Sequence, residues 1–248
     1  PINVTVVHGI RPGPTVTLLG AVHGDELVGP LALTYLCGPN FIGDGHAIDP
    51  SSLSGTIRIV SVVNLPGYYR QMRDLPDGRD LNRHFPGVPD SNTTSRVASR
   101  IWSNIISGTD YIVDLHSAAK GRTNMPQIRV NLAHSSSNLT ARSFGIETIL
   151  DTKGPRGSLR RVANDSDIAC ITYEGGGADE AGVVEQETQK LPFKARRGLG
   201  GLLGCLLSGR TLSAFSAAQL LAQPPFVHPC ALGCLADLDI APPSHPAL

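Results

Sequence analysis

The stretches TIRIVSVV (56–63) and YIVDL (111–115) are apolar almost from end to end. A strand with one face in water alternates polar and apolar residues, so strands without alternation are covered on both faces. Apolar or alternating runs bounded by Gly, Pro and Asn predict strands at Asn3–Val7, Thr15–Leu19, Thr56–Val62, Tyr111–Leu115, Ile128–Asn131 and Ala169–Tyr173. Helical spacing predicts helices near Leu27–Leu36, Thr94–Ser107, Asn138–Thr148, Ala181–Gly209 (with a break at Leu191-Pro192) and Ala214–Ala222. Strands that alternate with helices bury both sheet faces by stacking in three layers, so the expected fold is α/β, an α/β/α sandwich.

The chain has 248 residues, a size suited to one α/β domain. With 27 Gly and 19 Pro, much of it is expected to be ordered loop. Lys plus Arg and Asp plus Glu are 21 each, so the formal net charge is zero and nothing favours nucleic acid or a membrane surface as partner. No window of 18 residues is uninterruptedly apolar, and no membrane helix is expected. The opening PINVTVVHGI reads as a strand rather than a signal peptide. It carries no initiator Met, and the chain is expected to be a fragment. The five cysteines are scattered and odd in number, which suits reduced thiols and a cytoplasmic location. Cys230 and Cys234, with His228 nearby, form half of a zinc knuckle at most and read as thiols of an apolar tail. The Pro-rich end, from Gln223 on, has no period and is expected to be irregular.

Chemistry in open α/β sheets sits at the carboxyl ends of strands. Three polar clusters fall at such ends: HGDE (23–26), DLHS (114–117) and YEGGG (173–177). His23 and Glu26 are spaced H-x-x-E, and a short turn brings two such side chains to one point. Hydrolytic zinc takes three His or Glu ligands and leaves a position for water, and His116 is the natural third. Asp114 or Asp25 can orient an imidazole by accepting its free N–H. His8, His46, His134 and His245 read as surface residues, and His84 as a packing neighbour of the site.

In QMRDLPDGRDLNRHFPG (71–87), Arg83 can grip a carboxylate through two parallel N–H bonds and Asn82 can add an amide donor. Arg73 is close enough in sequence to enter the same pocket. The strings VHGDE, RDLNRHFPG, DLHS and YEGGG, in this order, resemble the succinylglutamate desuccinylase/aspartoacylase family of the zinc carboxypeptidase clan. The resemblance covers roughly residues 15 to 210. It implies a three-layer sandwich with a mixed, mostly parallel sheet and one catalytic Zn2+ per chain. His23, Glu26 and His116 would be its ligands. Arg73 would polarise the scissile carbonyl, Asn82 and Arg83 would hold the substrate carboxylate, and Glu174 would be the general acid/base.

Amide hydrolysis needs an activated water, charge stabilisation and a proton for the leaving nitrogen, and this residue set supplies all three. The expected activity is therefore deacylation of an N-acyl amino acid or similar small carboxylate. A metallocarboxypeptidase and a catalytically weak zinc- or carboxylate-binding domain are the competing readings. The carboxypeptidase branch uses a loop Tyr before its catalytic Glu, and none lies between Tyr111 and Tyr173. Residues 1–213 are expected to form the catalytic domain. Residues 214–248 are expected to be a short extension in place of the β-rich domain of many family members. No Tyr follows Tyr173, so the Tyr that this domain contributes in aspartoacylases has no counterpart, and the pocket is expected to be open on that side.

Overall fold

The computed structural model describes residues 1–37, 48 and 50–177. The helices expected at Ala181–Gly209 and Ala214–Ala222 lie outside the described residues, as do Cys205, Cys230, Cys234, His46, His228, His245 and the whole of 214–248.

Among the described residues, seven strands form one sheet: β1 (Thr5–His8), β2 (Arg11–Gly20), β3 (Ser54–Val60), β4 (Tyr111–Ala118), β5 (Asn124–Val130), β6 (Ile149–Asp151) and β7 (Ala169–Gly177). Their order is β1-β3-β2-β4-β7-β5-β6. The central pairs β3–β2, β2–β4 and β4–β7 are parallel, as is β5–β6, whereas β1–β3 and β7–β5 are antiparallel. The sheet is thus mixed and mostly parallel. The helices are α1 (Val28–Cys37), α2 (Leu65–Arg70), α3 (Thr93–Ile101), α4 (Ser135–Phe144) and α5 (Leu159–Asp165).

Strand parity divides the core into two layers. On one face, Leu18, Val113, Leu115, Ile171 and Tyr173 pack against α1 and α4 through Leu33, Leu36 and Phe144. On the other, Leu19, Ile112 and Cys170 pack against α3 and α5 through Ala98, Ile101, Leu159 and Ala163. Each fully buried Leu or Ile contributes about 1.5–3 kcal/mol through the area it removes from water. Gly29 lets α1 lie directly on the sheet, because a Cβ there would stand 2.7 Å from the Leu115 carbonyl oxygen.

Helix starts follow local capping chemistry. The side chains of Asn64, Asn92 and Ser158 accept hydrogen bonds from backbone N–H groups at the starts of α2, α3 and α5. Helix α4 is capped by His134, whose Nδ1 accepts from Ser137 N at 3.2 Å. His134 is therefore a half-buried cap and not the surface residue expected. The helix expected at Asn138–Thr148 starts earlier, at this cap, and stops where Gly145 turns left-handed at φ 77°. The segment expected as one helix over Thr94–Ser107 is α3 followed by a π-helical turn, Trp102–Ile106. No helix among the described residues is long and apolar enough to cross a membrane.

Candidate functional site

Because side chains alternate along strands, Asp114 and His116 share the Ile112 face of β4, and Thr172 and Glu174 share the Cys170 face of β7. His116 and Glu174 are direct partners across the β4–β7 ladder. That brings an imidazole and a carboxylate to the carboxyl ends of two adjacent parallel strands, on the α3/α5 side.

The third strand end is β2. Its path breaks at Ala21, which adopts φ 46°. A left-handed non-Gly residue costs roughly 1–2 kcal/mol, and here it turns the chain into the His23–Glu26 turn. That turn is closed by Glu26 N donating to His23 O at 3.2 Å. Gly24 within it lies against α2, where a Cβ would stand 2.1 Å from the Gly67 carbonyl carbon.

His23, Glu26 and His116 converge, all buried, with their ligand atoms within 4.8 Å of one another. His23 Nδ1 is 2.7 Å from Glu26 Oε1, His116 Nδ1 is 2.8 Å from Glu26 Oε2, and the two Nδ1 atoms are 3.1 Å apart. The outer nitrogens are held by carboxylates: His23 Nε2 is 3.1 Å from Asp80 Oδ1, and His116 Nε2 is 2.8 Å from Asp114 Oδ2. Each imidazole thus turns Nδ1 inward and gives Nε2 to an acid, the arrangement that carboxylates impose on metal-binding histidines. Asp25 takes neither role. Two inward ring nitrogens and a carboxylate gathered in a buried space form a donor set that fits zinc.

Electrostatics agree. Burial works to raise the Glu26 carboxyl, but His116 and His23 outweigh it and hold Glu26 well below the usual carboxylate range. Burial works to lower His116, and the carboxylates of Asp114 and Glu26 reverse that, holding it well above the usual imidazole range.

A polar cleft of about 280 Å³ opens over the trio. Arg73, Asn82, Arg83 and Glu174, the other residues singled out from sequence, all line it. Arg73 Nη1 lies 3.3 Å from Glu26 Oε1 and its Nη2 lies 2.9 Å from Asp80 Oδ2. Asn82 follows the cap of a short 3-10 turn, Leu81–Arg83, and its Oδ1 accepts from Leu159 N at 2.8 Å, which leaves Nδ2 for a ligand. Arg83 Nη1 donates to Asn82 O at 2.7 Å and the side chain is half-exposed. His84 turns back to the Asp80 carbonyl oxygen, 2.9 Å from its Nδ1, and does not line the cleft.

Glu174 is 8% exposed. Its Oε2 accepts from Asn124 Nδ2 at 2.8 Å and its Oε1 is 3.0 Å from Arg129 Nη1. Burial raises its carboxyl above the usual range, against the pull of His116 and Arg129. Arg122 and Arg160 also line the cleft. Sequence reading assigned no role to Asp80, Arg122, Asn124, Arg129 or Arg160. For Arg129 a signal existed, a cation within an otherwise apolar strand end.

Residues 12–195 match the succinylglutamate desuccinylase/aspartoacylase catalytic domain. The N-alpha-acetyl-L-2,4-diaminobutyric acid deacetylase of Halomonas elongata is 37% identical over 123 residues, 49% of this chain and 33% of that protein. Among solved structures, a succinylglutamate desuccinylase/aspartoacylase from Rhodobacter sphaeroides superposes with a TM-score of 0.67 at 28% identity, covering 83% of this chain and 59% of that one. The product-bound ectoine utilization protein EutE (DoeB) of Ruegeria pomeroyi superposes with a TM-score of 0.68 at 25% identity, covering 82% and 60%. The chain therefore spans about three-fifths of these structures and the match a third of the curated relative.

Proposed function

The chain belongs to the succinylglutamate desuccinylase/aspartoacylase catalytic-domain family, and from that premise we propose that it is a zinc-dependent amidohydrolase that deacylates an N-acyl amino acid or a similar small carboxylate. One observation carries the reading. The buried trio His23, Glu26 and His116 opens into the same cleft as Glu174, Arg73, Asn82 and Arg83.

When bound by the trio, zinc supplies a Lewis acid that lowers the pKa of water to about 7. The chain's own residues supply the rest. Asp80 and Asp114 orient the two imidazoles through Nε2. Arg73, beside Glu26, is placed to donate to the scissile carbonyl oxygen as negative charge develops on it. Asn82 Nδ2 and the Arg83 fork receive the substrate carboxylate. Glu174 takes a proton at its carboxylate and returns it to the departing amine, and its raised pKa suits both directions of transfer. The Halomonas relative is a deacetylase of an N-acetylated diamino acid, which makes N-acetyl amino acids the first substrates to try.

The test is turnover of the zinc-loaded chain on N-acetyl and N-succinyl amino acids, their C-terminal amides and short peptides. Free N-acyl amino acids should be preferred, with a markedly higher KM for each amide. Equal KM for acid and amide, or turnover of peptides alone, would contradict the reading.

A further inference from the structure

Strand β5 reaches Glu174 in an unusual way. Gln127 pairs with Glu174 and Arg129 with Thr172, two residues against two. Beyond Gln127 the register shifts, and Asn124 pairs with Gly176, so three steps of β5 oppose two of β7. In a regular strand Asn124 would point to the face opposite Arg129. The extra residue re-aims it, as β-bulges near functional sites do. Pro126, which has no N–H to give a ladder, lies within this irregular step, and Met125 is 65% exposed beside it.

The bulge brings an amide donor and a guanidinium from one strand onto the two oxygens of one carboxylate. Arg129 crosses diagonally from its position opposite Thr172 to reach Oε1, and Asn124 reaches Oε2. Glu174 needs such holding. It sits on β7 with glycines at 175, 176 and 177, which offer no side chain to pack against it. A carboxylate with a hydrogen-bond donor on one oxygen and a cation against the other has its plane restrained and keeps a lone pair on each oxygen for a proton.

We propose that Arg129 and Asn124 are positioning residues that act through Glu174. They set the plane of its carboxylate, and the β5 bulge exists to place Asn124. The proposal rests on the deacylase reading above, in which Glu174 handles the proton. It differs from a substrate clamp, which would hold ground and transition states alike and appear in KM.

The experiment uses the zinc-loaded full chain and the best N-acyl amino acid of the panel. Arg129→Gln should lower kcat by about 10²-fold, the cost of misplacing a catalytic group by about 1 Å. KM and zinc content should stay as they are. Arg129→Lys, which keeps the cation, should recover most of the loss, and Asn124→Ala should lower kcat in the same way. In a Glu174→Gln background neither substitution should cost anything further, because the group they act through is gone. A raised KM with unchanged kcat would make Arg129 a substrate clamp and overturn the proposal. Full additional losses in the Glu174→Gln background would make both roles merely structural and overturn it equally. Absence of turnover by the unaltered chain would refute the deacylase reading itself, and this role with it.

Discussion

Glu174 stands among groups that pull its ionisation in opposite directions. Burial and the neighbouring Glu26 raise it, while His116, Arg129 and Asn124 favour its charged form. A group balanced in this way is suited to accept and return a proton, and it lies outside the buried trio that would hold zinc. Glu174→Gln keeps the size and removes the proton shuttle proposed for this position. It should leave fold and zinc content intact and reduce kcat by roughly 10²–10⁴-fold, the usual share of acid/base catalysis. KM should move little, since Arg73, Asn82 and Arg83 remain. Zinc analysis beside steady-state kinetics checks this: loss of zinc would make Glu174 a ligand, and an unchanged kcat would move the base elsewhere. At this scale the sequence exposed His23, Glu26, His116 and Glu174, because a polar cluster that ends an apolar run is conspicuous. It hid Asp80, which reaches His23 and Arg73, 57 and 7 residues away, with no period to reveal them. It hid Asn124 for a harder reason, since only a bulge turns that residue toward the site.

Elements are secured here by contacts from distant loops as well as by their own caps. The first turn of α3 has Asn92 as N-cap and a second acceptor, Asp77, which lies 17 residues before Thr94. Asp77 Oδ2 accepts from Thr94 N at 3.0 Å, Oδ1 accepts from the Thr94 hydroxyl, and Arg79 lies 3.5 Å away. Burial works to raise the Asp77 carboxyl, and these hydrogen bonds and the Arg79 charge bring it below the usual range instead. A carboxyl with a depressed folded-state pKa contributes stability in full above its unfolded value of about 3.9, and loses it as pH falls through the folded value. Asp77→Asn should therefore destabilise the protein near neutrality by about 1 kcal/mol, the ordinary worth of such a hydrogen bond. Thermal melts of both proteins should converge as pH is lowered through the acid range. A gap that widens on acidification would contradict the sign. The long elements were legible from period and composition, and six strands and three of the helices lie where apolar patterning placed them, within a few residues. The missed elements have physical excuses. Strand β6 is three residues long, α2 holds Pro66 and Gly67 in six residues, and α5 is short and largely polar. The strand expected at Ile128–Asn131 starts earlier, at Asn124, because its first half contains Pro126 and the bulge that breaks alternation.

At the scale of the whole molecule, the sheet acts as a frame that delivers three strand ends to one point. β2 brings His23 and Glu26, β4 brings His116 with Asp114 behind it, and β7 brings Glu174. The loop between α2 and α3 closes the cleft with Arg73, Asn82 and Arg83. In the proposed reading such a site takes a cation at the trio and a substrate carboxylate at the clamp. The cation should stabilise the folded chain, by about 2.7 kcal/mol at a free concentration 100 times its Kd, because the trio is assembled only on folding. The α/β/α architecture was legible from unalternated strands that alternate with helices along the chain, whereas the meeting of β2, β4 and β7 needed strand order, which no local pattern states. The account's central claim is that this convergence is a zinc hydrolase site, and one measurement tests it most directly. Amine release from an N-acyl amino acid is followed on the full chain before chelation, after chelation, and after return of one equivalent of zinc. The account predicts about one zinc per chain, loss of turnover with the metal, recovery on its return, and neither zinc nor turnover in His116→Ala. Turnover that survives complete removal of metal, or full zinc occupancy in a His23→Ala, His116→Ala double variant, would contradict it.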